Sequence, residues 1–527
     1  MLIVLVFMTR EAKKSSFLKS ASLQSTPNCI YPLYAALFAP NHKQQKDREL
    51  MMHCIKVLRT TLVTTSLLIS IIIPAITPTI CLGKTHDRVT GPGAAENALG
   101  GAASATHTGA FSVFANPAAL VPLANNHNTQ LGLTIDNNHL KLSSPDLVNI
   151  VNTENSAASG TVAGTSMGSD PNINNSNFGI GLGLPLSSIF SFGLGAYLPS
   201  NALAKVFTVS DNDSYYLDHN ARAQKPEVFT ALAIKLPVPA MDLSLGVGVH
   251  YSLQVSGDIQ TVITRDDAKA RMFLEMRPVY TPYLGILYRY RDEFSAGLYY
   301  HAEQSAKADV NVNIEFDLSS LATIPFNASS KLIAFFEPAT LAAGVGYKIN
   351  GWGFFLAGER QYWSKYQAPN IAISGDNVQT LNNGNVRREI ITLNNSNHLR
   401  LGIEKVNTLG KGEGEGGRGR TVLTNFFGLE LHQSAMPDNP KSLAIIDSSK
   451  KVLALGAKLE GARLNAWFNS WSSAWSNSKH EYYLALGGKL AFIKSEDLQV
   501  IKNGEVAQKA HAGGKIFTLI GEFGVKY

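Results

Sequence analysis

From about residue 128 onward, hydrophobic residues recur at every second position along the chain. Leu243, Leu245, Val247, Val249 and Tyr251 point one way, while Ser244, Gly246, Gly248 and His250 point the other. Leu341, Ala343, Val345, Tyr347 and Ile349 oppose Ala342, Gly344, Gly346 and Lys348 in the same manner. Leu484, Leu486, Leu490 and Phe492 oppose Ala485, Gly487, Lys489 and Ala491. A period of two is a β-strand with one apolar side. An apolar face backed by small or polar residues is the pattern of a strand with lipid on one side and a lumen on the other. After Gly83 no apolar run is long enough for a helical membrane span.

The connections between these segments alternate in length. Short ones fall at 185–188, 237–240, Arg291-Asp292 and Asn350-Gly351, and long ones near 143–176, 199–227, 256–276, 303–337, 365–396, 433–449 and 494–512. Outer-membrane barrels have short periplasmic turns and long external loops. The expected architecture is therefore all-β: a transmembrane antiparallel β-barrel of about 14 strands over residues 128–527, with both termini on the periplasmic side. The last strand carries Phe517, Leu519, Phe523, Val525 and Tyr527 on one face, broken by Gly521. It resembles the terminal strand that barrel-assembly machinery recognises, and so predicts the outer membrane of a Gram-negative-type bacterium. Two inner-side connections are longer than the rule allows. Residues 407–420 are Gly-rich but lack the Gly-Lys-Ser/Thr ending of a phosphate loop. Residues 461–480 carry Trp467, Trp471 and Trp475 at a spacing that suits one face of an interfacial helix or a ragged part of the aromatic girdle.

The first part of the chain changes the charge balance. Residues 51–83 read as a signal peptide: Lys56 and Arg59, an apolar core from Leu62 to Ile73, then Pro74 and Pro78. Residues 1–50 form an upstream extension, with Met51 or Met52 as an alternative start. The whole chain has 46 Lys+Arg and 40 Asp+Glu. Residues 1–83 hold 9 and 3 of these, leaving 46 − 9 = 37 basic and 40 − 3 = 37 acidic residues. The apparent basic excess thus belongs to the presequence and gives no case for nucleic acid. Cys29, Cys54 and Cys81 lie there too, so the mature chain has no disulfide to stabilise it.

Residues 84–127, before the first strand, are rich in Gly and Ala and contain GAFSVFANPAAL at 109–120. This stretch resembles the N-terminal hatch of the FadL/TodX-type hydrophobic-compound transporters, with Asn116, Pro117 and Ala118 on its Asn-Pro-Ala motif. EPATLAAGVGYKINGWGFFLAGERQYWSKYQ at 337–367 is similar to that family's central hairpin, and SAMPDNPKSLAIIDSSKKVLALGA at 434–457 to one of its loops. The resemblance implies a hatch at 84–127 plugging the barrel. It also implies capture of hydrophobic molecules, long-chain fatty acids or hydrocarbons, from outside through the lipopolysaccharide surface, and their lateral release into the membrane by a monomer.

If the cargo is a carboxylate, an inward cation should meet it. By alternation the candidates are Arg400, Lys348, His250, Lys458 and Lys489, each with the competing reading of a lumen cation paired to an inward acid. Asn116 and Pro117 are expected to position the hatch, since Asn holds a tight turn and Pro fixes φ. No cofactor is expected. No His pair shows metal-ligand spacing along the chain, and no Ser, His and polar partner stand out on neighbouring strands, so neither a metal site nor an enzyme is expected. A non-specific porin, an adhesin and a structural barrel are the competing functions.

Overall fold

A computed structural model describes residues 92–107, 109–121, 129–143, 148–151, 160–163, 172–200, 215–217, 226–238, 241–263, 268–317, 323–366, 372–374, 391–409, 421–461, 464–465, 481–502 and 504–526. The upstream extension, the signal peptide with its cysteines, most of both inner-side insertions, the three spaced tryptophans and Tyr527 lie outside the described residues.

Fourteen strands form the barrel. They are β1 (Gln130–Leu142), β2 (Asn172–Pro185), β3 (Phe190–Pro199), β4 (Glu227–Lys235), β5 (Asp242–Ile263), β6 (Ala268–Tyr290) and β7 (Phe294–His301). They continue as β8 (Thr340–Ile349), β9 (Trp352–Gln361), β10 (Ser396–Leu409), β11 (Thr421–His432), β12 (Lys450–Gly461), β13 (Glu481–Lys502) and β14 (Glu505–Lys526). Each pairs antiparallel with its neighbours in sequence, and β14 closes on β1 with Leu131 opposite Val525 and Leu133 opposite Phe523. Closure leaves no unpaired edge in the wall, which a spanning sheet requires in lipid.

The predicted faces are the observed ones. Leu341, Val345, Tyr347, Leu245, Val247, Leu484 and Leu486 are exposed on the outside, while Ala342, Gly344, Ser244, His250 and Ala485 are buried. The outward residues make a contiguous apolar surface on a closed barrel, so the chain is an outer-membrane barrel. Val525 departs from this pattern. It sits on the apolar face but is buried, because Leu464 and Tyr482 pack over it.

The tight turns form where the sequence places them. Asn350 and Gly351 both have positive φ (50° and 75°), as a two-residue hairpin turn with the twist of its strands requires. At the other end the structure corrects the reading of three long loops. Residues 256–263 and 268–276 extend β5 and β6, and 494–502 and 505–512 extend β13 and β14. Within 303–337, strands Gln304–Asp317 and Thr323–Glu337 pair antiparallel, and the first runs parallel beside β5 from Val255 to Ile263. Asn and Asp suggested loops there, yet Val310, Val312, Ile314 and Phe316 alternate. That periodicity is the better guide to pairing.

Residues 92–121 lie inside the wall. They form a short helix α1 (Ala94–Ala98) and two 3₁₀ turns (Ala110–Phe114 and Pro117–Leu120). Nearly every residue is buried. Their neighbours include Gly132 on β1, Gly181 on β2, Gly195 on β3, Gly246 on β5, Gly402 on β10 and Gly456 on β12. A segment that meets inner faces right around the ring occupies the bore. The wall makes room by dispensing with side chains. A Cβ on Gly297 would overlap the Ala105 carbonyl, and one on Gly246 the Pro117–Ala118 peptide.

Replacing Gly297 by Val should therefore destabilise the folded barrel by about 1–3 kcal/mol, the usual cost of overpacking. Gly358→Ala, where an added Cβ meets nothing within 4 Å, should leave it unchanged. The temperature at which the folded band converts to the unfolded one on a gel measures both; equal temperatures would contradict the close approach.

Candidate functional site

The interior is built from two layers: the buried N-terminal segment, and a charged network toward the long-loop end of the strands. Asn116 organises the first. Its Oδ1 accepts from the Ala118 amide (3.0 Å), capping the 3₁₀ turn that Pro117 starts. Its Nδ2 donates to the carbonyls of Ala105 (2.7 Å) and of Ile286 on β6 (3.1 Å). One buried amide thus folds the segment on itself and ties it to the wall.

Neighbouring strands add further ties. Tyr283 Oη donates to the Val113 carbonyl (2.6 Å), His301 Nε2 meets the Ala115 carbonyl (2.9 Å), and the Ala94 amide donates to Glu522 on β14 (2.7 Å). Aromatic rings continue the contact outward from the segment. Phe114 lies against Phe229 (4.8 Å between centroids), Phe229 stacks on His250 (4.1 Å), and Tyr283 stacks on His301 (4.7 Å). The alternation that marked His250 as inward did not show this stack, because Phe229 comes from the adjacent strand.

The second layer spans β9, β10 and β11. Register sets Glu359 opposite His398, Arg400 opposite Glu430, and His398 opposite His432. Arg400, fully buried, donates Nε to Glu430 (2.5 Å) and Nη1 to Glu359. His432 Nε2 stands 2.8 Å from Glu430, and His398 Nδ1 3.8 Å from Glu359. Ser396 Oγ reaches His398 Nε2 at 3.2 Å. Gln361 donates to Glu359 and accepts from the Trp363 indole, linking the network to the outer connection. Of these residues the sequence reading named only Arg400 as a candidate.

The other candidate cations are spread through the lumen. Lys348 pairs with Glu404 (2.8 Å) at the short-turn end and is half exposed. Lys458 pairs with Glu460 (2.8 Å) and lies over the Tyr483 ring. His250 stands 3.9 Å from Glu227. Lys489, half-buried on β13, acts electrostatically on Glu430. The five do not converge. Arg400, Lys348 and Lys458 each face a protein carboxylate in ion-pair contact.

A second apolar layer covers the long-loop end. Leu217, Trp363, Ile391, Leu393, Ala435, Ala444 and Ile445 bury one another, and Ile445–Ile446 pairs with Tyr215–Tyr216 across two loops. The Tyr216 hydroxyl accepts from the Gly513 amide at 2.9 Å. One triad did escape the sequence reading. Ser495 Oγ is 3.3 Å from His511 Nε2, whose Nδ1 is 2.7 Å from Asp497. Asp497 is 79% exposed, unlike the buried acid that holds a catalytic imidazole, and water competes for the contact. It is a surface polar cluster.

Truncating Arg400 to Ala would leave Glu359 and Glu430 as uncompensated buried charges, and should cost about 3–5 kcal/mol of barrel stability. Arg277→Ala, at the Arg277–Glu275 pair that is exposed on both sides, should leave stability nearly unchanged. Denaturant unfolding in detergent or lipid compares the two, and similar losses would contradict the burial of the Arg400 network.

No family model matches the chain, and no curated protein sequence matches it. Solved structures do. A FadL homologue of Pseudomonas aeruginosa is similar over 84% of this chain and 99% of its own, at 12% identity and a TM-score of 0.52. The Pseudomonas putida toluene transporter TodX aligns over 83% of this chain and 99% of its own, with 14% identity and a TM-score of 0.42. The monoaromatic hydrocarbon channel CymD aligns over 83% and 97%, with 14% identity and a TM-score of 0.41. The fourteen-stranded barrel is thus of the FadL type in its fold.

Proposed function

We propose that this chain carries small hydrophobic molecules across the outer membrane, with residues 92–121 as the hatch. The observation that carries the reading is the filled bore. A barrel lined by glycine, and occupied by Ala, Phe and Val side chains anchored through Asn116, suits an apolar solute better than water or ions. The physics favours such a route. Burying a chain is worth ~0.8 kcal/mol per CH₂, so an alkyl or aromatic solute gains from each apolar contact it meets. Lateral release into the bilayer avoids returning it to water. Uptake is diffusion down a gradient, with movement of the hatch weakening binding.

The cargo is a long-chain fatty acid or a hydrocarbon. A fatty carboxylate reaches the buried Arg400 only by displacing a protein carboxylate, and at Lys348 or Lys458 it would share the cation with Glu404 or Glu460, whereas an uncharged hydrocarbon competes with none. A porin would need an open aqueous path, and the packing of residues 92–121 disfavours that reading.

Mass spectrometry of lipid extracted from the purified protein identifies the cargo. Asn116→Ala combined with Pro117→Ala should lower uptake of that cargo by about tenfold or more, because it leaves the Ala105 and Ile286 carbonyls and the Ala118 amide without Asn116. Each buried group left unsatisfied costs about 1–3 kcal/mol. Uptake equal to the parent's, at equal surface protein, would remove the hatch role. Large single-channel conductance in the unmodified protein would replace the transporter with a porin.

A further inference from the structure

We propose that His398, Glu430 and His432 form a binding site for a divalent transition-metal ion of the zinc, cobalt, nickel and copper class. The site lies inside the barrel wall near the long-loop ends of β10 and β11. One ligand atom from each of the three side chains lies within 4.8 Å of the others. Two imidazoles and one carboxylate are the donor set of many catalytic and regulatory zinc sites, in which a fourth position stays open to water or to another ligand.

The site is made by register rather than by local sequence. His398 and His432 are thirty-four positions apart, yet they are directly opposed across the β10–β11 ladder. Both rings point inward, and their centroids are 4.1 Å apart. Glu430 shares a face with His432 two residues away, and its carboxylate oxygen is 2.8 Å from His432 Nε2. Bonds of ~2.0–2.1 Å in a tetrahedron place ligand atoms ~3.3–3.4 Å apart. Glu430 and His432 stand at 2.8 Å and all three ligand atoms lie within 4.8 Å, so an ion at that spacing requires side-chain rotation but no backbone rearrangement.

The surroundings bear on the same assignment. Arg400 contributes one positive charge against the two carboxylates Glu359 and Glu430. Lys489, half-buried on β13, adds a second positive charge near Glu430, so with neutral imidazoles the cluster is close to neutral, and the case for the ion rests on the donor geometry. Arg400 holds both acids; Glu359, now 3.8 Å from His398 Nδ1, would orient a metal-bound imidazole once that gap closes and His398 Nε2 leaves Ser396 Oγ for the ion. Burial is graded: His398 and Glu430 are buried while His432 is partly open, which leaves an approach for the ion.

The test uses the full mature protein, purified in detergent without a histidine tag and stripped with chelator. Co²⁺ is titrated by visible absorption and Zn²⁺ by calorimetry. One equivalent should bind, and X-ray absorption at the bound metal should show two imidazole ligands. His398→Ala and His432→Ala should each weaken binding by at least about tenfold, and Glu359→Gln by about 10–100-fold. His511→Ala, at the exposed cluster, should change nothing. Stoichiometric binding that survives in the His398→Ala/His432→Ala double variant overturns the site, as does an absence of binding in the folded parent protein. If the variants fail to give the folded gel band, the imidazole count on the parent protein decides alone: two supports the site, none removes it.

Discussion

Backbone pairing in lipid is the constraint on which everything else in this molecule depends. No water is present in the bilayer core to satisfy an amide or carbonyl, so a sheet that crosses it must close. Here β14 meets β1 over thirteen consecutive residue pairs, from Gln130 opposite Lys526 to Leu142 opposite Gly514. Closure fixes which face of each strand looks outward. Leu, Val, Tyr and Phe on that face meet lipid, which leaves glycine, alanine and polar residues to line the interior. The absence of cysteine beyond Cys81 is then no handicap, because the ladder supplies the stability that a disulfide framework supplies in small secreted domains.

The interior follows from the same geometry. Glycines placed on the inward face let the 92–121 segment approach the wall as closely as backbone meets backbone. A segment of small residues has few side-chain anchors of its own. Its position is set instead by a few directed hydrogen bonds, with Asn116 the most connected and Tyr283, His301 and Glu522 contributing from the wall. Such an arrangement combines close packing with a limited number of attachment points. Toward the long loops the wall changes character, and a buried ionic network on β9–β11 gives way to an apolar cover built from the connections.

The hydrophobic pattern predicted the barrel well because lipid exposure imposes a period of two on each strand, regardless of what lies elsewhere in the chain. All fourteen strands stand where alternation put them, and the two-residue turn at Asn350-Gly351 shows in its composition. The extensions of β5, β6, β13 and β14 were harder to read. Beyond the membrane both faces meet water or other loops, so the contrast between faces fades and Asn- and Asp-rich strands resemble coil. For the same reason, Val310 to Phe316 was legible only by ignoring its polar neighbours.

What the sequence determined by itself was local: the alternation, the turn chemistry, the inward direction of Arg400, Lys348, His250, Lys458 and Lys489, and the Asn-Pro turn at 116–117. Those properties depend on adjacent residues and on a fixed side-chain period. Partnership was decided only by the tertiary structure. Arg400 and Glu404 do share the inward face of β10, but Glu404 holds Lys348, while Arg400 is held by Glu359 and Glu430 from the strands on either side. His398 and His432 meet only because of the β10–β11 register, and Asn116 reaches Ile286 across 170 positions. Strand register and the path of a segment through the bore are set by closure of the whole ring, and no local stretch of sequence contains that information.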